Sequence, residues 1–204
     1  MGADSQRERA RLDRGESRDR IVAAATALIR ERGFTGLSIG EIMERAGIGR
    51  TIFYRHFDDL GDLLMKASRE AIEALYATEV ELSADEGPSG EVVRAAIESA
   101  VSVYSRHGPL LRALSEAAPS DERISGPQEA IRARFDELVA GVLSPLPGFA
   151  GKPEEEVLET ARALNLVNTA YLTDAYGREP RVSEEVAVQT LSGIWLAVVE
   201  RAGG

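Results

Sequence analysis

The chain has 204 residues, of which 44% are hydrophobic and 28% charged, a balance typical of a folded globular protein of one or two domains. Cysteine is absent and His56 and His107 are the only histidines. Disulfides, thiolate nucleophiles and zinc sites built on several histidines are therefore excluded. The N-terminus is charged and polar, and the longest apolar run, residues 21–29, is too short to span a bilayer. We therefore expect a cytoplasmic protein that needs no membrane, cofactor or metal.

Charge is distributed unevenly along the chain. The net charge is −10, yet residues 1–57 carry 11 Arg against 8 Asp and Glu, a net of +3. The remainder carries 13 Lys and Arg against 26 Asp and Glu, a net of −13. This asymmetry suggests a division of labour, in which the N-terminal part tolerates a polyanion that the acidic remainder would repel.

The N-terminal segment divides into an arm and a helix. In residues 1–16 arginines alternate with acidic side chains without apolar periodicity, so we expect a flexible arm, either disordered or a frayed helix. Ser17 can cap a helix, and Gly33 is placed to end it. Apolar residues recur between them at three- and four-residue spacing, at Ile21, Ala24, Ala25, Leu28 and Ile29.

Two short helices are predicted next. Ser38 and Glu41 have the spacing of a capping box at the start of a second helix. The glycines of residues 47–49 form a tight break, and a third helix is expected from Arg50 to about Phe57. A fourth, longer helix is expected at 60–82.

The rest of the chain continues as helices separated by Gly-Pro and Pro-Gly signals. The predicted segments are 89–105, 110–117, 127–143, 154–176 and 183–201. No segment alternates strictly between apolar and polar residues, so no sheet is expected. The predicted fold is all-α: a flexible arm (1–16), a three-helix helix-turn-helix domain (17–58, "the head") and a larger helical ligand-binding and dimerisation domain (59–204, "the body").

The pair of short helices is a candidate helix-turn-helix, whose second helix would enter the DNA major groove. Phe53 and Phe57 lie four residues apart and would face the core of the head. The outward side chains are then those of Arg50, Thr51, Tyr54 and Arg55. They can hydrogen-bond to bases and phosphates, although the same pattern also suits the polar face of an ordinary surface helix.

Over residues 17–64 the sequence resembles, in unbroken register, the DNA-binding domain of TetR-family transcriptional regulators. The matching elements are Gly33-Phe34, Leu37-Ser38-Ile39, Ile42, Ala46-Gly47-Ile48, Thr51 to Phe57 and Leu63-Leu64. The resemblance implies a repressor that binds a palindromic operator on double-stranded DNA as a homodimer and holds a ligand in its helical body.

The resemblance also implies roles for individual residues of the head. Ser38 would cap the second helix beside a phosphate, and Arg50, Thr51 and Ile52 would face bases. Tyr54 and His56 would contact the DNA backbone. Two positions depart from the family pattern: Gly49 has no side chain where a serine or threonine is common, and Leu60 replaces a phosphate-binding lysine. Arg55 and the arginines of the N-terminal arm are candidate substitutes for that lysine.

In the body, the only two asparagines of the chain, Asn165 and Asn168, fall on one helical stripe with Leu158, Ala161, Leu164 and Leu172. Burying an unpaired amide costs roughly 1–3 kcal/mol. The amides therefore either form satisfied bonds between helices or line a cavity and bind a polar group of an apolar ligand. Spacing alone leaves both explanations open.

Residues 163–195 are similar to the C-terminal part of the mycobacterial ethionamide-resistance repressor group within the same family. The similarity rests on Ala-Leu-Asn-Leu-Val-Asn, the Glu179-Pro180 turn, and Thr190-Leu191 through Ile194-Trp195. It implies a channel for a small hydrophobic effector. The candidate ligand-binding residues are Ile97, Ala100, Phe135, Leu138, Asn165, Asn168 and Trp195. Only 5% of the residues are aromatic, which favours a wide pocket or an aliphatic ligand.

The last helix is apolar on nearly every side, and helix 154–176 has a second weakly polar face at Ala163, Leu166, Val167 and Ala170. A terminal helix at the surface of a monomer should keep a polar face. We therefore expect a homodimer through helices 154–176 and 183–201. The alternative is that both helices are buried within a single body.

An enzyme is not expected. Residues 36–40 match the G-x-S-x-G nucleophile pattern, but that pattern requires a preceding strand, and Ser38 is better explained as a helix cap. No catalytic residue is therefore assigned. A DNA-binding regulator without a small-molecule switch remains the main alternative, and a helical dimer that does not bind DNA is a more distant one.

Overall fold

The computed structural model describes residues 3–82 and 90–203, and in these ranges it contains helices and no strand, which confirms the all-α prediction. The α-helices are α1 (Ala3–Arg32), α2 (Ile39–Ala46), α3 (Leu60–Ala67), α4 (Arg69–Leu82), α5 (Gly90–Ala117), α6 (Glu122–Leu143), α7 (Glu154–Tyr176) and α8 (Glu184–Gly203). Short 3₁₀ helices span Arg50–Arg55, Ala118–Ser120 and Pro147–Phe149. Within the described ranges, no helix combines the length and apolar character needed to cross a bilayer.

The first helix begins earlier than the sequence predicts. α1 starts at Ala3, so Ser17 is inside it and most of the predicted arm is helical. Arg, Glu and Gln are good helix formers, and they continue the helix through a segment that has no apolar face. Flexibility of residues 1–16 and the three-part division of the chain stay predictions.

The second helix has the predicted ends. The Ser38 hydroxyl accepts a hydrogen bond from the Glu41 N–H, and the Glu41 side chain accepts one from the Ser38 N–H, which completes the capping box. Gly47 ends the helix with a φ of +65°, a left-handed conformation that glycine adopts without steric cost. The Arg20 guanidinium donates to the Ala46 carbonyl at 2.7 Å, which ties this end of α2 to α1.

The predicted helix 60–82 is divided into α3 and α4 at Ser68. The Ser68 backbone leaves the helical region, with φ −91° and ψ 3°. Its N–H still bonds to the Leu64 carbonyl and its own carbonyl accepts from Ile72, so the two helices remain closely joined.

The predicted break between 89–105 and 110–117 is wrong, because α5 continues through Pro109. Proline removes the hydrogen bond to the carbonyl four residues earlier, that of Ser105. The Arg181 guanidinium donates to this carbonyl at 2.9 Å and replaces the missing partner. A Cβ at Gly108 would lie 2.3 Å from the Tyr176 carbonyl oxygen, so glycine allows α5 and α7 to approach closely.

α6 also begins earlier than predicted and contains Pro127. Its start is fixed by Asp121, whose carboxylate accepts a hydrogen bond from the Arg123 N–H at 3.0 Å. The central helix of the body is α5, which packs against α4, α7 and α8, while α6 packs against α7. The predicted break at residues 87–88 lies outside the described residues.

Candidate functional site

The helix-turn-helix presents one apolar and one polar side. Phe53 and Phe57 are buried in the core of the head, with ring centroids 5.4 Å apart. Arg50, Thr51 and Arg55 are exposed, as is Tyr54 at 58%. Sequence reasoning predicted this separation. The second helix of the helix-turn-helix, Arg50–Arg55, is a 3₁₀ helix, a form common in such short segments. Gly49 precedes it and provides no side-chain cap.

Several arginines of the head are already paired. Arg32 lies 2.7 Å from the Glu41 carboxylate, and Arg45 donates to Glu31 at 2.9 Å. Arg50 and Arg55 form no ion pair with another residue of the described ranges. These two cations are therefore available for an anionic partner such as a phosphate.

Three further head residues are less available for DNA contacts than the sequence suggests, because they are partly buried or already hydrogen-bonded. Ile52 is partly buried and packs against the core, and His56 is half-buried. The Ser38 hydroxyl donates to the Glu41 carboxylate at 2.7 Å within the capping box. This bond and that from Arg32 lower the pKa of Glu41 to about 2, so a negative charge lies beside Ser38 at neutral pH.

The helix after the head holds the end of the 3₁₀ helix. The Lys66 ammonium donates to the His56 carbonyl at 3.0 Å and to Asp62 at 2.8 Å, and it lies 5.3 Å from the centroid of the Phe57 ring. Leu60, at the start of α3, packs partly buried against the core instead of reaching outwards. Through Lys66, α3 is thus attached to the end of the 3₁₀ helix Arg50–Arg55.

The body contains a cavity of about 170 Å³ between α3, α4, α5, α6 and α7. For comparison, an engineered apolar cavity of about 150 Å³ is large enough to bind benzene. Most of its lining is apolar, and its polar side chains are those of Tyr104, Ser115, Gln128, Arg132, Asn165, Asn168 and Thr169. We call it the first cavity.

A second cavity of about 70 Å³ lies between α5, α6, α7 and α8 and is almost entirely apolar. The two cavities share Ala100, Phe135, Asn165 and Asn168 in their walls. Trp195 and Ile97 line the second cavity only. The two asparagines therefore lie where the cavities adjoin.

Each asparagine uses one end of its amide within the protein. Asn165 Nδ2 donates to the buried Asp136 carboxylate at 2.7 Å, and Trp195 Nε1 donates to Asn168 Oδ1 at 3.0 Å. A carboxylate only accepts and an indole N–H only donates, so these partners fix which way each amide points. Asn165 Oδ1 and Asn168 Nδ2 remain, one acceptor and one donor. The amides thus form bonds between helices and also line a cavity, while their binding of a ligand stays a prediction.

The structure brings most of the predicted ligand-binding residues to the cavity walls: Ile97, Ala100, Phe135, Asn165, Asn168 and Trp195. Leu138 lines neither cavity, contrary to the expectation, although Phe135 before it and Val142 after it on α6 do. Leu158, assigned to the buried stripe of α7, is on its exposed side.

Sequence reasoning missed Asp136, Arg132 and the α3 residues Met65 and Lys66. Gln128, Ile131, Arg132 and Phe135 follow the three- and four-residue spacing of one helical face, which could have indicated Arg132. Nothing local marks the bond of Asp136 to Asn165, which joins residues 29 positions apart.

An exposed apolar surface covers parts of α7 and α8. Seven large hydrophobic side chains are exposed among the described residues, and five lie on these two helices: Leu158, Leu166, Val167, Val186 and Ile194. Such clustering is typical of an interaction surface. It argues against burial of both helices within one chain.

The fold and these features define a helix-turn-helix DNA-binding protein with a cavity in its helical body. Residues 21–65 match the family described as bacterial regulatory proteins, tetR family. The chain is 26% identical over 188 residues to the HTH-type transcriptional regulator EthR of Mycolicibacterium smegmatis, covering 86% of this chain and 82% of the relative. Residues 21–65 are thus a DNA-binding domain of the tetR family, and most of the chain is similar to the transcriptional regulator EthR, which confirms the resemblance seen in the sequence.

Solved structures show the same fold. A transcriptional regulator from Rhodococcus sp. Rha1 superposes with a TM-score of 0.67 at 21% identity, covering 92% of this chain and 98% of the other. The TetR-family regulator PfmR from Thermus thermophilus gives a TM-score of 0.68 at 20% identity, with 88% and 97% covered. At this level of identity the likeness concerns architecture.

Proposed function

We propose that the protein is a repressor that binds a palindromic operator as a homodimer and leaves it when a mostly apolar small molecule enters the body. The observation that carries the proposal is the pair of adjoining cavities at Asn165 and Asn168. A preformed apolar space with a few polar groups is typical of a small-molecule site.

In the proposed docking, the 3₁₀ helix enters the major groove. Arg50 and Thr51 contact bases, and the partly buried Ile52 makes a smaller contact with them. Tyr54, Arg55 and His56 contact the DNA backbone. Ser38 and Gly49 lie at the edge of this surface. The support is the exposure of the polar side chains opposite Phe53 and Phe57.

The proposed dimer forms through the exposed apolar side chains of α7 and α8. It would place two heads on two half-sites, roughly 34–36 Å apart if they are one helical turn of DNA apart. Val186 is 50% exposed and Leu166 45% exposed in the single chain, and a partner copy would cover them. The same side chains on each copy suit a two-fold interface.

The ligand would act through α3. Met65 of this helix lines the first cavity, and the adjacent Lys66 holds the His56 carbonyl at the end of the 3₁₀ helix. A ligand that displaces Met65 would shift α3 and thereby change the distance between the two heads. A 100-fold loss of operator affinity requires about 2.7 kcal/mol of coupling, which is within the usual allosteric range.

DNA docking is tested by fluorescence anisotropy with a duplex from the region upstream of the gene. Tyr54→Ala should weaken binding to all duplexes about equally, and Arg50→Ala should relax sequence preference. Tyr76→Ala removes another exposed tyrosine, on α4, and is the matched control. If Tyr54→Ala binds like wild type and Arg50→Ala keeps its specificity, the assigned docking is wrong.

The switch is tested without knowing the ligand by filling the cavity. Ala100 lies in the wall shared by the two cavities, so Ala100→Phe should occupy the space and lower operator affinity in the absence of ligand. Ala133→Phe adds the same ring to the exposed side of α6 and should leave affinity unchanged. Circular dichroism and sedimentation establish that both variants keep their helix content and oligomeric state. A correctly folded Ala100→Phe dimer with wild-type operator affinity would contradict the switch.

A regulator without a small-molecule switch is the second candidate. The bonds Asn165–Asp136 and Trp195–Asn168 favour it, because they give both amides a structural role. It predicts that Ala100→Phe changes stability and leaves the operator affinity of the folded dimer unchanged.

A further inference from the structure

One charged residue lines the cavities. Arg132 is in the wall of the first cavity, and no other Asp, Glu, Lys or Arg of the described ranges lines either cavity. Apolar ligands alone give no reason for a guanidinium at this place. Its position relative to the apolar walls therefore bears on the chemistry of the ligand.

Along α6, Arg132 and the second cavity lie on opposite sides of Phe135. Gln128, Arg132 and Phe135 follow one face of α6 and line the first cavity, and the same helix reaches the second cavity at Val142 and Leu143. Phe135 belongs to both walls. A molecule that extends along α6 would thus meet the cation first, then the asparagines, and finally an apolar space.

The Arg132 guanidinium is free to bind a ligand. It is exposed, and within the described part of the chain it forms no ion pair or hydrogen bond. Asp136, one helical turn further on, is buried and accepts its hydrogen bond from Asn165 instead. The arginines of other pairs, such as Arg123 with Asp121, are neutralised by a neighbouring carboxylate.

We propose that the effector is an anionic amphiphile whose carboxylate binds Arg132 and whose aliphatic chain extends past Phe135 into the second cavity. This deepens the proposed function and rests on it. The planar guanidinium matches a carboxylate with two parallel hydrogen bonds. The buried Asp136 carboxylate repels an anion at the asparagine end, so the charge of the ligand is directed to the Arg132 end. The other acidic side chains of the body also repel an anionic ligand, but from further away. Their repulsion is screened beyond about 8 Å at physiological salt.

The test compares octanoate with octan-1-ol, which share a chain length and differ in charge. Trp195 is the only tryptophan and lines the second cavity, so its fluorescence reports entry of the chain. Binding is measured at pH 7 with wild type, Arg132→Gln and the control Arg134→Gln. The control removes the same charge from α6 at a residue that lines neither cavity.

Octanoate should bind Arg132→Gln at least 10-fold more weakly than wild type, while octan-1-ol should bind both alike. Arg134→Gln should bind both probes like wild type. Rising salt should weaken octanoate binding only. If octan-1-ol binds and octanoate shows no dependence on Arg132, the effector is neutral: the anionic class is wrong and the proposed cavity function stands. If neither probe changes Trp195 fluorescence or melting temperature, the anionic class and the small-molecule switch of the proposed function both fail, and operator binding is decided by the Tyr54→Ala and Arg50→Ala variants.

Discussion

The bond between Asn165 and Asp136 makes a quantitative prediction about the apo protein. Asp136 is only 7% exposed, and its hydrogen-bond donor is Asn165 Nδ2 at 2.7 Å. Replacing Asn165 with leucine leaves the carboxylate buried without that donor. Hydrogen bonds to charged groups contribute about 1.5–3 kcal/mol, and an orphaned buried acceptor costs about 1–3 kcal/mol or more if charged.

Asn165→Leu should therefore lower the free energy of unfolding by about 2 kcal/mol. For a chain of this size, that corresponds to a fall of about 4–8 °C in melting temperature. Asn168→Leu breaks a bond between two neutral groups, worth about 0.5–1.5 kcal/mol, and should destabilise less. Urea denaturation at one fixed protein concentration measures both, because the stability of a dimer depends on concentration.

A double-mutant cycle isolates the bond from changes in packing. Asp136→Leu removes the carboxylate, so adding Asn165→Leu to it should cost much less than Asn165→Leu alone. We expect a coupling energy of about 1.5–3 kcal/mol. Additivity to within about 0.5 kcal/mol would refute the reasoning, since it would mean that the carboxylate does not depend on the amide. Octan-1-ol binding is then compared between Asp136→Leu and the double variant. A difference shows that the Asn165 amide also contacts the ligand.

Three further predictions concern the head. Phe53→Ala removes a fully buried ring and should cost about 3–5 kcal/mol, measurable as an earlier unfolding transition and lost operator binding. Gly49→Ser should stabilise the head by a few tenths of a kcal/mol, because position 49 is an uncapped helix start with open space around a Cβ. The new hydroxyl should also raise DNA affinity. Unchanged affinity would show that no phosphate lies nearby. The pKa of Glu41 is lowered from 4.5 to about 2, so its contribution to stability is present above about pH 4.5 and is lost as the pH falls towards 2. Unfolding curves across this range should therefore show a smaller acid sensitivity in Glu41→Gln than in wild type.

Local signals in the sequence predicted the parts of the fold that depend on neighbouring residues. Ser38 and Glu41 lie three apart, and Gly47 needs only its own left-handed conformation, so α2 has the predicted ends. Phe53 and Phe57 are both buried, as their four-residue spacing predicted, although the predicted helix to Phe57 is a 3₁₀ helix that ends at Arg55. These patterns operate within a single turn of chain, where spacing determines geometry.

Features that depend on distant partners were not predictable in this way. Continuity of α5 through Pro109 depends on Arg181, which donates to a carbonyl 76 residues away. The structural role of Asn165 depends on Asp136 in another helix. The stripe of α7 was correct where neighbouring helices cover it and wrong at Leu158, which periodicity alone cannot distinguish from a buried position.

The position of α3 explains how a small cavity could control a distant surface. One end of α3 is tied to α6, because Asp59, the N-cap of α3, pairs with Arg123 at 2.8 Å. Towards the other end, Met65 lines the cavity and Lys66 holds the His56 carbonyl. The Asp59–Arg123 pair is about half exposed, and surface pairs contribute only about 0–1 kcal/mol. This attachment is therefore weak compared with the roughly 2.7 kcal/mol needed for a 100-fold switch, so most of the proposed coupling has to come from packing around Met65.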